Sequence, residues 1–264
     1  KFFKKLDGLE SSHPDYSVKF LYSLVNSGNY KNAFNFSKKL TRQNFNIFES
    51  HLFLGVYYLK HSKLDLAKEH FQKAKKSGRS VLDDYISNSL YNWVNLSSGN
   101  LNDALFETKK LDERFENLKK IQNIFLNCYF DSPNTKSLYK ELTSNKKTDF
   151  SRYNYFYASF VASSGDISGA KNIVNLGLKS YPRNLQLNQF KADLNENKNI
   201  YIFNCKSEAH VSAEILYVTA NALSSQNIYP LSNFYINLAK FLNEDFHSYD
   251  ALLAENFYKI ENFK

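Results

Sequence analysis

The sequence predicts an all-α chain built from repeated helical hairpins, and three observations carry that expectation. The first is self-similarity. Gly28-Asn29-Tyr30-Lys31-Asn32-Ala33 recurs as Gly99-Asn100-Leu101-Asn102-Asp103-Ala104 and as Gly165-Asp166-Ile167-Ser168-Gly169-Ala170, and Ser62 to Ala67 is the same element without its glycine. Ala33 to Ala67 is 34 residues, Ala67 to Ala104 is 37, Ala104 to Leu138 is 34 and Leu138 to Ala170 is 32, a period typical of stacked supersecondary units. The second is composition: 8 glycines and 4 prolines in 264 residues are fewer than sheets and tight β-turns consume. The third is apolar spacing. Leu54, Gly55 and Tyr58 share one helical face, Ser62-Lys63-Leu64 makes a turn, and Ala67, Phe71 and Ala74 share one face of a second helix.

Each element follows from that template. Residues 1–13 carry Phe2, Leu6 and Leu9 at helical spacing before Pro14, and read as the second helix of a preceding hairpin. The first complete pair runs from Asp15 to Leu40, the next from Asn46 to Ser77, and the third from Val81 to Phe115 with Trp93 on its first helix. A weaker pair spans Asn117 to Asn145, turning at Asp131-Ser132-Pro133-Asn134, with proline near the helix start where its missing N–H costs nothing. The fifth spans Ser151 to Tyr181, and Leu185 to Leu194 opens a further first helix. The pattern then breaks: Asn195 to Asn199 is a polar turn, and Ile200-Tyr201-Ile202-Phe203 is a short β-prone run that reads either as an extended segment along a groove or as a long connection. Helices resume from Ala209 to Ser225, Pro230 to Leu242 and Tyr249 to Ile260, the last a first helix lacking its second. The expected division is therefore residues 1–194 as helical repeats, 195–208 as an irregular insertion and 209–264 as C-terminal repeats. An array cut in mid-repeat leaves apolar ends that solenoids normally cap, so extension beyond both termini, or self-association through them, is expected.

The phased Leu54-Gly55, Tyr58, Ala67, Phe71 and Ala74, with Ala158, Val161, Gly165, Ala170, Gly177 and Pro182 in a later copy, resemble the tetratricopeptide repeat. The resemblance covers essentially the whole chain and implies a right-handed superhelical solenoid of antiparallel helix pairs, about seven repeats here, some degenerate or truncated. It also implies a platform for protein or peptide partners. Within such proteins, Ala213-Glu214-Ile215-Leu216, Ala220-Asn221-Ala222-Leu223, Leu238-Ala239 and Asp250-Ala251-Leu252-Leu253-Ala254 are similar to a bacterial multi-repeat family whose members commonly have no assigned biochemical role.

Other chemistries find little support. The net charge of +8 favours acidic partners, but the lysine doublets (Lys38-Lys39, Lys75-Lys76, Lys109-Lys110, Lys146-Lys147) are scattered near helix ends, where they complement helix dipoles. Phosphate binding instead gathers basic residues on one face. Cys128 and Cys205, 77 residues apart without Cys-x-x-Cys spacing, read as two buried free thiols rather than a zinc site or disulfide framework. Of six histidines no pair is four apart on a helix, as metal ligation prefers. Glycine-rich phosphate loops and a Gly-x-Ser-x-Gly nucleophile are absent, and Asp83-Asp84 and Asp112-Glu113 suit capping. We expect no enzyme activity and no cofactor. No apolar run reaches membrane-spanning length, and a chain without methionine is compatible with either cytoplasm or periplasm after loss of a leader.

In a superhelix of this type the first helices line the concave face. The inward positions are Val18, Tyr22 and Asn26; Leu52, Val56 and Lys60; Ser89, Trp93 and Ser97; and Tyr155, Ser159 and Ser163. The lining is aromatic and polar, without the Lys/Asn clamp that some family members use for a terminal carboxylate. Tyr22, Asn26, Lys60, Trp93, Tyr155 and Ser159 are the candidate partner-binding residues. Trp93 fits either a groove anchor or a residue packed between repeats. The expected function is a non-catalytic scaffold binding a protein or peptide. The alternatives are a helical repeat reading nucleic acid one base per unit, whose equivalent positions Tyr22, Val56, Trp93 and Ser159 share no code, and an accessory domain of a larger enzyme complex.

Overall fold

The computed structural model describes residues 14–96, 99–145, 148–196, 198 and 202–260. Among them the chain is all-helical, with fourteen α-helices and no strand. They are α1 (Pro14–Asn26), α2 (Tyr30–Arg42), α3 (Phe48–Lys60), α4 (Leu64–Ser77), α5 (Val81–Val94), α6 (Leu101–Lys109), α7 (Glu116–Tyr129), α8 (Thr135–Thr143), α9 (Tyr153–Ser163), α10 (Ile167–Ser180), α11 (Leu185–Asn195), α12 (Glu208–Ser225), α13 (Tyr229–Leu242) and α14 (Ser248–Lys259). Helices pack chiefly against their neighbours in sequence, as α3 with α4, α9 with α10 and α12 with α13. The expected N-terminal helix over residues 1–13, Ser97, the Lys146-Lys147 doublet and Ile200-Tyr201 lie outside the described residues.

One turn geometry joins five of the pairs. Gly28, Ser62, Asp131, Gly165 and Asn227 all have positive φ, between 53° and 90°. Each donates its N–H to the carbonyl three residues back (Val25, Leu59, Cys128, Ala162 and Ser224). The following residue donates to the carbonyl five back (Leu24, Tyr58, Asn127, Val161 and Leu223). This double hydrogen bond is the Schellman C-cap, which satisfies two orphan helix carbonyls and reverses the chain. Glycine adopts the left-handed conformation without Cβ penalty. In three of the five copies Ser62, Asp131 or Asn227 takes it at φ 53–63°, so the geometry outlasts the residue type that favours it.

The small residues permit close helix approach. A Cβ at Gly55 would overlap the ring of Phe71 on α4, and Ala67, Phe71 and Ala74 are fully buried beneath α3. Five helix starts carry side-chain caps. Ser80 and Asp83 form a reciprocal capping box at α5, and Asn100, Asp166, Asn184 and Ser207 each accept an N–H from the first turn.

The chain divides into two compact units, Lys1–Lys119 with Ser207–Lys264, and Lys120–Lys206. In the first, α12 and α13 pack across α1, α3 and α5. Phe234, Tyr235, Ile236, Leu238 and Ala239 of α13 are fully buried there. Buried Asn256 ties α14 to this pair: its amide nitrogen donates to Ser232 Oγ (2.9 Å) and Asn233 Oδ1 (2.7 Å), while Ser224 donates to its oxygen (2.5 Å). The second unit comprises the C-terminal part of α7 with α8 to α11 and the non-helical segment Ile202–Lys206.

The two cysteines are not free thiols. Cys128 on α7 and Cys205 are disulfide-bonded, with Cα atoms 6.0 Å apart. Their separation in sequence concealed a closure that depends on the chain returning to α7 after α11.

Candidate functional site

The inward positions of the first helices meet different surroundings in the two units. In the first unit they face α12 and α13. Tyr22 stacks on Phe234 at 4.5 Å, and Asn26 accepts a hydrogen bond from Asn237 (3.2 Å). Lys60 pairs with Glu244 (2.8 Å) and lies over Phe241. Tyr30 adds a hydroxyl donation to the Asn237 carbonyl (3.2 Å), and burial raises its phenol to about 12. Leu52, Val56 and Ser89 are fully buried, and Trp93 is 1% exposed on α5, against which α12 packs. Tyr22, Asn26 and Lys60 are thus brought together by one helix, α13, and Trp93 lies in the core.

Beside this contact is a cavity of about 340 Å³ lined by Val18, Tyr22, Phe48, Glu49, Arg79 and Asp83, among others. Burial, and then the neighbouring Asp83, raise the Glu49 carboxyl above the ordinary range, against the opposing pull of its own backbone N–H and Arg79. Burial, with Glu49 and Asp83 nearby, also raises the Tyr22 phenol. Asp15, Glu49 and Asp83 sit in the first turns of α1, α3 and α5, where a carboxylate complements the helix dipole. That role accounts for them.

In the second unit the inward face of α9 borders a cleft of about 250 Å³. Its walls are Tyr139 of α8, Phe156, Ser159, Phe160 and Ser163 of α9, Phe203 and Asn204, and the Cys128–Cys205 bond. Tyr155, one position before Phe156, is instead buried against Phe190 of α11. Burial raises its phenol, against a smaller opposing pull from Ser159. Ser159 is buried and Ser163 exposed at the cleft edge. The aromatic walls are mutually ordered: Tyr139 meets Phe160 at 5.6 Å, and Phe203 meets Phe125 at 5.0 Å and Phe156 edge-on at 4.6 Å. Arg152 lies over the Phe156 ring at 5.4 Å. The walls are rings, hydroxyls, one amide and a disulfide, with no ionised group. Such a surface suits an uncharged, polarizable side chain.

The Ile202–Asn204 segment is non-helical and lies along this cleft, with Phe203 only 7% exposed. Of the broken run noted in the sequence, the described end therefore brings Phe203 against α9. The disulfide was legible only as two distant cysteines. The single available signal was the aromatic at Phe203 two residues before Cys205, inside the one segment that leaves the repeat.

Histidines pair differently from their sequence spacing. His51 and His70, on α3 and α4, face each other at 3.1 Å between Nδ1 atoms, and His51 Nε2 lies 2.9 Å from Asn46 Oδ1. Asn46 accepts from His51 Nε2–H, so His51 Nδ1 accepts from His70 Nδ1–H. Burial holds both imidazoles down at about 4. Among the described residues no group of three or more metal-ligating side chains converges, and no helix is long and apolar enough to cross a membrane.

No protein-family model matches the chain, and no curated protein matches it in sequence.

Proposed function

We propose that the chain is a tetratricopeptide-like solenoid acting as a non-catalytic adaptor, and that it binds an extended peptide segment through an aromatic side chain in the α8–α9 cleft. The observation that carries this reading is the placement of Ile202–Asn204, a non-helical piece of this chain whose Phe203 and Asn204 line the cleft beside α9, with Phe203 against the rings of Phe125 and Phe156. The same cleft continues past it to Ser159, Phe160 and Ser163, so a peptide segment would find a row of rings and hydroxyls there. A cleft of about 250 Å³ holds a side chain or two rather than a drug-sized ligand, for which ~300 Å³ is a lower bound. The recurrent Schellman turns at 28, 62, 131, 165 and 227 support the repeat reading.

The lysines argue for protein over nucleic acid. Lys60, Lys73, Lys110, Lys119, Lys240 and Lys259 each pair with a nearby carboxylate rather than gathering along one groove. The test is fluorescence anisotropy with blocked hexapeptides carrying Phe, Tyr, Leu or Lys at one central position, alongside a single-stranded RNA at physiological salt. Micromolar binding of the Phe and Tyr peptides, weakened at least tenfold by Ser163→Trp at the cleft edge, is expected. Peptide binding indifferent to Ser163→Trp, or RNA binding tighter than peptide binding, would overturn the proposal.

A further inference from the structure

We infer that the peptide cleft is competent only in the oxidised protein, because the Cys128–Cys205 bond holds one of its walls in place. The inference rests on the peptide-binding reading of that cleft. The wall is formed by Phe203, Asn204 and Cys205, from a segment outside any helix. Its other anchors include the Phe203 ring contacts and an ion pair between Lys206 and Asp131. That ion pair is solvent-exposed, with side chains 51% and 75% accessible, and exposed pairs of this kind hold little on their own. The disulfide is the one covalent anchor. It also joins positions near the two ends of the unit Lys120–Lys206, so it constrains the whole loop between them.

The bond is reachable from the cleft it builds. Cys205 is half-buried and lines the cleft, whereas Cys128 is only 5% exposed. A thiolate from a small-molecule or protein dithiol attacks Sγ of Cys205, and Cys128 leaves as a thiolate that takes a proton from solvent. The reductant's second thiolate then attacks its own sulfur in the mixed disulfide, releasing Cys205 as a thiolate that is likewise protonated. Two electrons and two protons reach the protein, and the dithiol departs as its disulfide. Phe203 and Asn204 then have no covalent tie to α7, and the wall opposite Ser159 and Ser163 opens. Disulfides persist in oxidising compartments and are lost where glutathione and thioredoxin keep thiols reduced, so the cleft distinguishes the two environments.

The experiment compares the oxidised protein, the dithiothreitol-reduced protein and the Cys128→Ser/Cys205→Ser double variant. Thiol state is read by alkylation and mass spectrometry, helix content by far-UV circular dichroism, and exchange of the 202–206 amides by hydrogen–deuterium exchange without peptide. The Phe-anchored hexapeptide is then titrated into each form. We expect retained helix content, at least tenfold faster exchange at 202–206, and at least tenfold weaker peptide binding in both forms lacking the disulfide. Unchanged exchange at 202–206, equal peptide affinity with and without the bond, or two alkylatable thiols in protein purified under air would overturn the inference. If exchange accelerates but the oxidised protein binds no peptide, redox control of the wall is supported and the peptide reading falls.

Discussion

The face that the first helices turn inward is closed in one unit and open in the other. On α1, α3 and α5 it is covered by α12 and α13, with Tyr22 and Asn26 engaged by Phe234 and Asn237 of α13 and Lys60 lying over its Phe241. On α9 it borders a cleft whose far wall is a short non-helical segment fastened by one disulfide. The same type of helix position therefore serves core formation in one place and borders an open cleft in the other. What separates them is the partner the chain supplies: a helical hairpin buries area continuously, whereas five residues and a covalent bond leave a gap. Wide apolar burial is worth roughly 25 cal/mol per Å², so the covered face contributes stability while the open one keeps its rings and hydroxyls accessible.

The largest expected effect breaks the open region alone. Removing the disulfide releases a loop of 77 residues' separation and should destabilise Lys120–Lys206 by about 4 kcal/mol on the chain-entropy account. Urea titrations with and without reductant, read by hydrogen exchange for each unit, check it. Equal losses in both units would erase the distinction. The covered face should respond to Phe234→Ala, which removes a fully buried ring stacked on Tyr22. A loss of about 3 kcal/mol is expected in the first unit only, measured in the same titration.

Acid should separate the units next. His51 and His70 are held neutral in the folded state down to about pH 4, while unfolded imidazoles titrate near 6.5. Between those values the unfolded chain binds more protons, so stability is full above about pH 6.5 and is lost as pH falls toward 4. Allowing for screening at the half-exposed His70 and for the shared hydrogen bond, the pair accounts for roughly 2–3 kcal/mol. Lys120–Lys206 contains no histidine, so its stability should not follow this curve. Thermal melts from pH 7.5 to 4.5, compared with His70→Gln, test this, and an acid loss unchanged in the variant would remove the His51–His70 pair as its cause.

The smallest effects lie in the turns that the two units share. Ser62→Gly relieves a non-glycine residue at φ 55° and should stabilise α3–α4 by about 1 kcal/mol. Gly165→Ala, whose new Cβ meets nothing within 4 Å but sits at φ 90°, should cost the second unit about 1 kcal/mol. Matching magnitudes of opposite sign would show that the Schellman geometry contributes alike in both units. A null result at Ser62 would mean that serine tolerates the left-handed conformation without cost there.

The period, the helix positions and the small-residue contacts were legible in the sequence, because a helical hairpin is a local object. The 3.6-residue spacing of apolar residues and the recurrence of Gly-Asn or Gly-Asp are written in consecutive residues, and Gly55 under Phe71 follows from them. Candidate partner positions were legible as a face and not as a surface. The spacing placed Tyr22, Trp93 and Ser159 alike, and nothing in it distinguished residues that another helix would cover from residues that would border a cleft. The Asn256 network was hidden for a similar reason. Its partners Ser224, Ser232 and Asn233 are polar residues that composition assigns to solvent, and only the stacking of α14 on α12–α13 buries them.

The sequence by itself determined the all-helical class, the order of the hairpins and the glycine-favouring turns between helices, since each depends on residues within one repeat. Only the tertiary structure decided that α12–α13 cover the inward face of α1, α3 and α5, that Cys128 meets Cys205, and that His51 faces His70. Those outcomes depend on where separate elements come to rest, and a repeating pattern carries the same local information in every copy. It therefore specifies how each hairpin folds while leaving the choice of neighbours to burial and covalent closure across the whole chain.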